Sequence, residues 1–230
     1  MCIFNFCIIY PMPTHSEENY LKSIFHLTGK NNVPVSTNAI ADVLKTKASS
    51  VTDMIQKMAR KKWIHYEKYQ GVTLTKKGKQ IAALIVRKHR LWEVFLVDKL
   101  GFKWDEIHEI AEQLEHINDE KLIDKLDQFL GNPKLDPHGD PIPDKEGNMI
   151  FHKDYTLDDL KPQENGVIIA VKEHTPDFLQ YLESVRLMPG ANVKLLKVYE
   201  YDNSLLIENE GVELHVSDKV SQKILIQKEK

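Results

Sequence analysis

Between Ser36 and Thr75 the chain runs through two short helix patterns and then a hairpin pattern, and few folds accept that order. Ser36 or Thr37 can cap a helix carrying Ala39, Ile40, Val43 and Leu44, because a side-chain oxygen there satisfies one of the helix's unpaired first amides. A tight turn at Thr46-Lys47 leads to a second pattern from about Ser49, with Val51, Met54, Ile55 and Met58 recurring at helical spacing. One of Ser49 and Ser50 is expected to cap it. Two short helices joined by a tight turn form a helix-turn-helix. Trp63-Ile64-His65-Tyr66-Glu67 and Val72-Thr73-Leu74-Thr75 then alternate like strands around Gln70-Gly71. A hairpin in that place is a wing, so the spacing predicts a winged helix-turn-helix over residues 13–75. Ser16 to Thr28 supplies an amphipathic helix ahead of it, stopped by Gly29.

Charge indicates what this module meets. From Lys45 to Arg90 there are thirteen Lys/Arg against two acids, a local balance of +11, inside a chain whose net charge is −3. A basic block in a mildly acidic protein points to a polyanion. A recognition helix enters the major groove by its N-terminal end, so Lys47, Ser49, Ser50 and Thr52 are the expected contacts there, with Lys57, Arg60 and the wing residue Lys68 reaching phosphates.

Downstream the residue types change. Thr75 can cap a long helix to Leu100, with further helices expected from Trp104 to His116 and from Asp119 to Leu130. His89/Glu93 and His108/Glu112 stand at i, i+4, and Glu112/Glu115/His116 at i, i+3, i+4, spacings that share a helix face. Imidazole and carboxylate without thiolate favour Mn²⁺ or Fe²⁺ over softer ions. His138, in the Pro-Gly-rich run from Gly131 to Gly147, reads as structural. His-Glu-x-x-His is absent, as are a nucleophile elbow and a phosphate loop, which argues against an enzyme.

From Gly166 the pattern becomes β, with five short strands and one helix from Thr175 to Glu183, predicting a small barrel over residues 166–230. The whole is therefore mainly α with small β parts: a helical metal-binding and dimerisation segment at 76–150 and a linker at 151–165 separate winged helix from barrel. Residues 1–12 read as an N-terminal extension. Its two cysteines, Cys2 and Cys7, give no disulfide framework, consistent with a reducing cytoplasm, and its apolar run is too short to span a membrane.

Glu18-Asn19-Tyr20-Leu21-Lys22, Ser49-Ser50-Val51-Thr52, Tyr69-Gln70-Gly71-Val72-Thr73-Leu74-Thr75, His89-Arg90-Leu91-Trp92-Glu93, Glu115-His116 and Pro137-His138-Gly139-Asp140-Pro141-Ile142-Pro143 together resemble the diphtheria toxin repressor family of metal-dependent transcriptional regulators, including its manganese-sensing branch. The resemblance implies a homodimer that binds double-stranded DNA at palindromic operators and represses metal-uptake genes, with an SH3-like C-terminal domain and no small-molecule substrate. It assigns His89, Glu93 and His108 to one metal site. Glu112, Glu115 and His116 form the other, completed from the first helix, where this chain has Asn19 in place of the usual Asp or Met. Lys22 stands where the manganese branch has a second first-helix acid. Iron-sensing members tend to carry Cys at the position of Glu112, so the metal expected is Mn²⁺, with Fe²⁺ the alternative and a purely structural metal the second. Glu173, His174 and Asp177 lie near where related proteins donate extra ligands.

Overall fold

Helix α1 (His15–Thr28) starts at a reciprocal capping box. The Glu17 amide donates to the Thr14 hydroxyl, and the Thr14 amide donates to Glu17 Oε2 at 2.9 Å. In the computed structural model, which describes residues 12–67, 70–149 and 155–228, the chain divides into two compact units meeting between Ile85 and Val86. The first holds α1, α2 (Thr37–Val43), α3 (Ala48–Arg60), and the antiparallel strands β1 (Ile64–Glu67) and β2 (Gly71–Leu74). Ser36 caps α2 through the Ala39 amide. Helix α3 is capped by neither serine: it begins at Ala48 after Lys47, so the Ser49 and Ser50 side chains lie in its first turn, exposed.

The wing is anchored from outside the hairpin. Val35 exchanges both backbone hydrogen bonds with Val72, and at Gly71, with φ at +100°, a Cβ would lie 2.8 Å from the Val35 carbonyl oxygen. Only glycine fits that backbone at that distance. Leu21, Ile24, Ile40, Val51, Ile55, Met58, Trp63 and Val72 form the core beneath. Each such burial contributes about 1.5–3 kcal/mol, which holds α3 rigidly with its first turn outward.

Helix α4 (Lys76–Leu100) starts where Thr75 accepts the Gly78 amide at 3.0 Å. In the second unit it is followed by α5 (His108–Leu114) and α6 (Glu120–Phe129), the latter capped by Asp119. Helix α5 is shorter than the Trp104–His116 helix that the sequence predicts. The Trp104 carbonyl pairs with His138 Nε2 at 2.8 Å, on the N-terminal side where the expected helix would begin; at the other end Glu115 and His116 fall in the cap and turn beyond α5.

The proline-rich run is clamped to α4. Arg87 donates to the Pro143 carbonyl at 2.7 Å and to Asp127 at 2.8 Å, while Arg90 donates to Asp140 at 2.8 Å and lies 3.3 Å from Asp136. Gly139 lets this run press on the barrel, since a Cβ there would meet the Ile169 carbonyl oxygen at 1.9 Å.

The barrel is an antiparallel six-stranded sheet in the order β3-β8-β4-β5-β6-β7, made of β3 (Tyr155–Thr156), β4 (Asn165–Val171), β5 (Asn192–Val198), β6 (Leu205–Asn209), β7 (Val212–Val216) and β8 (Ile224–Lys228). Helix α7 (Pro176–Ser184) follows β4, and α8 (Asp218–Ser221) precedes β8. Register shifts in β4 and β5 bend the sheet as bulges do. Six strands replace the five expected, because the segment assigned to a linker at 151–165 supplies β3, and its Leu157 and Leu160 are buried in the barrel core.

Candidate metal centre

Helix α4 sets His89 and Glu93 one turn apart, buried, with hydrogen-bonding nitrogen and oxygen 3.0 Å apart. The other imidazole nitrogen of His89 meets Glu115 Oε2 at 2.6 Å. Helix α5 adds His108, whose Nδ1 lies 3.8 Å from Glu93 and whose Nε2 lies 3.6 Å from Glu112. Among the described residues, ligand atoms converge within 4.8 Å in three groups: His89/Glu93/His108, His89/Glu112/Glu115 and Glu93/Asp136/His138.

The first group is the site the family resemblance assigned. The second brings Glu112 and Glu115 together as expected, but with His89 in place of His116. The reason is the short α5: with the helix ending at Leu114, the i, i+3, i+4 spacing no longer puts His116 on a common helical face with Glu112. His116 joins none of the three groups. His89 and Glu93 each serve two.

The third group brings in Asp136, which no sequence spacing marks, and His138, which the sequence suggests is structural. Its Nε2 faces the Trp104 carbonyl, so the hydrogen that makes that bond sits on Nε2 and Nδ1 keeps its lone pair. That Nδ1 is buried, has no hydrogen-bond partner among the described residues, and lies 3.9 Å from Glu93 Oε2. An imidazole oriented through its far nitrogen by a backbone carbonyl is how metal-binding histidines are commonly held. Burial favours its neutral, ligand-competent form by pushing the imidazole pKa down.

The carboxylates respond to crowding. Burial pushes Glu93 upward, but hydrogen bonds from His108 and His89 overcome it and hold the carboxyl far below the glutamate range. Burial, reinforced by the charges of Glu93 and Asp140, drives Asp136 well above the usual aspartate value against the opposing pull of Arg90. Asp136 and Asp140 thus share one guanidinium, and Glu93 adds a further negative charge beside Asp136 that a divalent cation would neutralise.

Of the barrel candidates, His174 stacks on His138 with ring centroids 4.5 Å apart and lies 3.9 Å from Asp140. Glu173 is taken by Thr175 and Lys223, and Asp177 is exposed on α7. Asn19, on α1, has its side-chain oxygen buried without a hydrogen-bond partner among the described residues. Such an orphan costs about 1–3 kcal/mol; the donors of the second unit are the imidazoles and carboxylates of the three groups. These donors fit a hard or borderline divalent ion.

On the first unit, Lys47, Ser49, Ser50 and Arg60 are exposed on α3, and the Thr52 hydroxyl donates to the Ala48 carbonyl at 2.9 Å. The Lys57 ammonium lies 3.1 Å from Glu17. Lys68 lies outside the described residues. No described helix is long and apolar enough to cross a membrane.

Three family models match the chain in succession: the iron dependent repressor N-terminal DNA binding domain over 12–72, the iron dependent repressor metal binding and dimerisation domain over 75–144, and the FeoA domain over 155–228. The iron-dependent repressor IdeR of Mycobacterium leprae is 34% identical over 189 residues, covering 76% of this chain and 81% of that protein. The HTH-type transcriptional regulator MntR of Oceanobacillus iheyensis is 36% identical over 125 residues, 54% of this chain and 84% of that one. A solved manganese-dependent transcriptional repressor in complex with manganese superposes with a TM-score of 0.85 at 30% identity, covering 93% of this chain and all of its own. The winged helix, the carboxylate-imidazole centre and the small barrel therefore belong together: this chain is a member of the iron-dependent repressor family, the family of the diphtheria toxin repressor, and is a metal-dependent DNA-binding transcriptional repressor rather than an enzyme.

Proposed function

We propose that the chain is a cytoplasmic homodimer that Mn²⁺ switches onto palindromic operators of metal-uptake genes. The observation that carries the choice of metal is the donor set, imidazoles and carboxylates with no sulfur, which suits a hard or borderline ion. His89 and Glu93 would be common ligands, with His108, Glu112 and Glu115 on one side and Asp136 and His138 on the other. Asn19 and His116 are further candidates from the family pattern. Fe²⁺ is the second reading, favoured by the relatives named iron-dependent repressors.

A bound divalent ion supplies positive charge where the carboxylates crowd. The chain's own residues do the rest: His138 is oriented by Trp104, Arg90 holds the Asp136 loop on α4, and His89 links α4 to Glu115 beyond α5. Neutralising that charge tightens the packing of α4, α5 and the loop. Exposed Phe129 and Leu122 on α6 give apolar area for the dimer face. The DNA contacts are Lys47, Ser49, Ser50, Thr52, Arg60 and Lys68, whereas Lys57, expected among them from the sequence, pairs with Glu17.

The test is a gel shift on palindromic promoter fragments of metal-uptake genes, with chelated protein and then Mn²⁺ or Fe²⁺ restored. A shift requiring Mn²⁺ supports the reading. A shift at equal affinity in chelator means the metal is structural only, and a response to Fe²⁺ alone transfers the assignment to iron.

A further inference from the structure

Glu17 is completely buried in the first turn of α1, and neither the fold of the wing nor the metal centre uses its charge. Its Oε1 lies 2.6 Å from the Lys61 ammonium and 3.1 Å from that of Lys57, while its Oε2 accepts the Thr14 amide. Lys57 and Lys61 stand one turn apart at the C-terminal end of α3, the helix whose other end offers Lys47, Ser49 and Ser50. The carboxylate cannot move, fixed by a backbone donor at its helix start. The lysines remain at the surface, with side chains 46% and 24% exposed. Burial would raise the Glu17 pKa, but Lys61, Lys57 and the Thr14 amide hold it below the ordinary range, so it is ionised at neutral pH.

A lysine on a recognition helix ordinarily adds sequence-independent affinity, since each phosphate neutralised releases condensed counterions. That gain applies to every duplex alike and dilutes the preference for an operator. Here one immobile carboxylate competes with DNA phosphate for two ammoniums.

We infer that Glu17 is a positioning residue for specificity: it withholds Lys57 and Lys61 from the DNA backbone and so limits the nonspecific affinity of α3. The inference rests on the DNA-binding role of the winged helix. A residue that only stabilised the fold would alter melting temperature and affinity but leave the salt dependence of binding unchanged.

The test uses the full-length chain with Mn²⁺ and a random-sequence duplex as probe, reading the slope of log K against log salt concentration. In E17Q the slope should steepen by about 0.9 for each lysine released, up to about 1.8 per protomer. K61Q should leave the slope of the otherwise wild-type chain unchanged, yet in the E17Q background flatten it by about 0.9. Equal slopes for wild type and E17Q overturn the inference. So does a flattening by K61Q alone, a measurement that stands even if E17Q does not fold. Absence of salt-dependent binding by the wild-type chain would remove the DNA reading as well, whereas equal slopes remove this inference alone.

Discussion

Two buried carboxylate sites handle charge in opposite ways. In the winged helix, Glu17 meets two lysines and a backbone amide, so its charge is balanced within the protein. In the second unit, Asp136 and Asp140 share one arginine, and Glu93 pairs only with the imidazoles of His89, His108 and His138 among the described residues. The difference shows at Asp136: Glu17, with its lysines, and Glu93, with its imidazoles, are both held below the usual range, while burial and the neighbouring charges of Glu93 and Asp140 drive Asp136 well above it. A balanced buried carboxylate stabilises a geometry. An unbalanced one leaves demand for a cation, which is why the second site, and not the first, is the one we propose as the metal centre.

The contrast can be broken most forcefully at Glu93, the carboxylate shared by two of the three ligand groups. E93A should abolish the Mn²⁺ response in DNA binding while circular dichroism shows an unchanged helical content; a normal response would remove Glu93 from the site. Next is Arg90. R90M leaves Asp136 and Asp140 without their cation, and losing one partner of a buried pair costs about 3 kcal/mol. Urea denaturation in chelator should show that loss, and added Mn²⁺ should recover part of it if the same carboxylates bind metal.

A smaller effect is expected at Asn19, whose orphaned oxygen is a neutral donor. N19D should raise Mn²⁺ affinity about tenfold, or roughly 1.4 kcal/mol, in a calorimetric titration, and an unchanged affinity would exclude this position as a ligand. Smallest is exposed Asp177. D177N should shift stability by less than about 0.5 kcal/mol and leave metal affinity as it was, because its carboxylate joins none of the ligand groups.

The winged helix was legible because its cues are local. Ser36 and Thr75 cap helices within three residues of themselves, and Gly71 marks its hairpin. The His89/Glu93 pair was legible for the same reason, since both lie on one turn of α4. What the sequence concealed depends on distant contacts. His138 takes the Trp104 carbonyl, 34 residues away, where the expected helix would begin, and Glu115 meets His89 across 26 residues, a pairing no local spacing announces. Asp136 and His138 sit at alternate positions, a spacing that would share a face in a strand but carries no such meaning in this proline-rich loop. They become ligand candidates only because Arg90 ties the loop to α4 and Gly139 lets it press against β4. The segment at 155–165 lacks a long apolar run, so nothing marked it as part of the barrel until Leu157 and Leu160 were found in the core.

Anomalous diffraction at the manganese edge from crystals of the full chain soaked in Mn²⁺ tests the carboxylate surplus most directly. The account predicts anomalous peaks bounded by His89 and Glu93, with His108 or Glu115 on one side and Asp136 and His138 on the other. Full manganese loading in solution with no peak at any of these groups would contradict it.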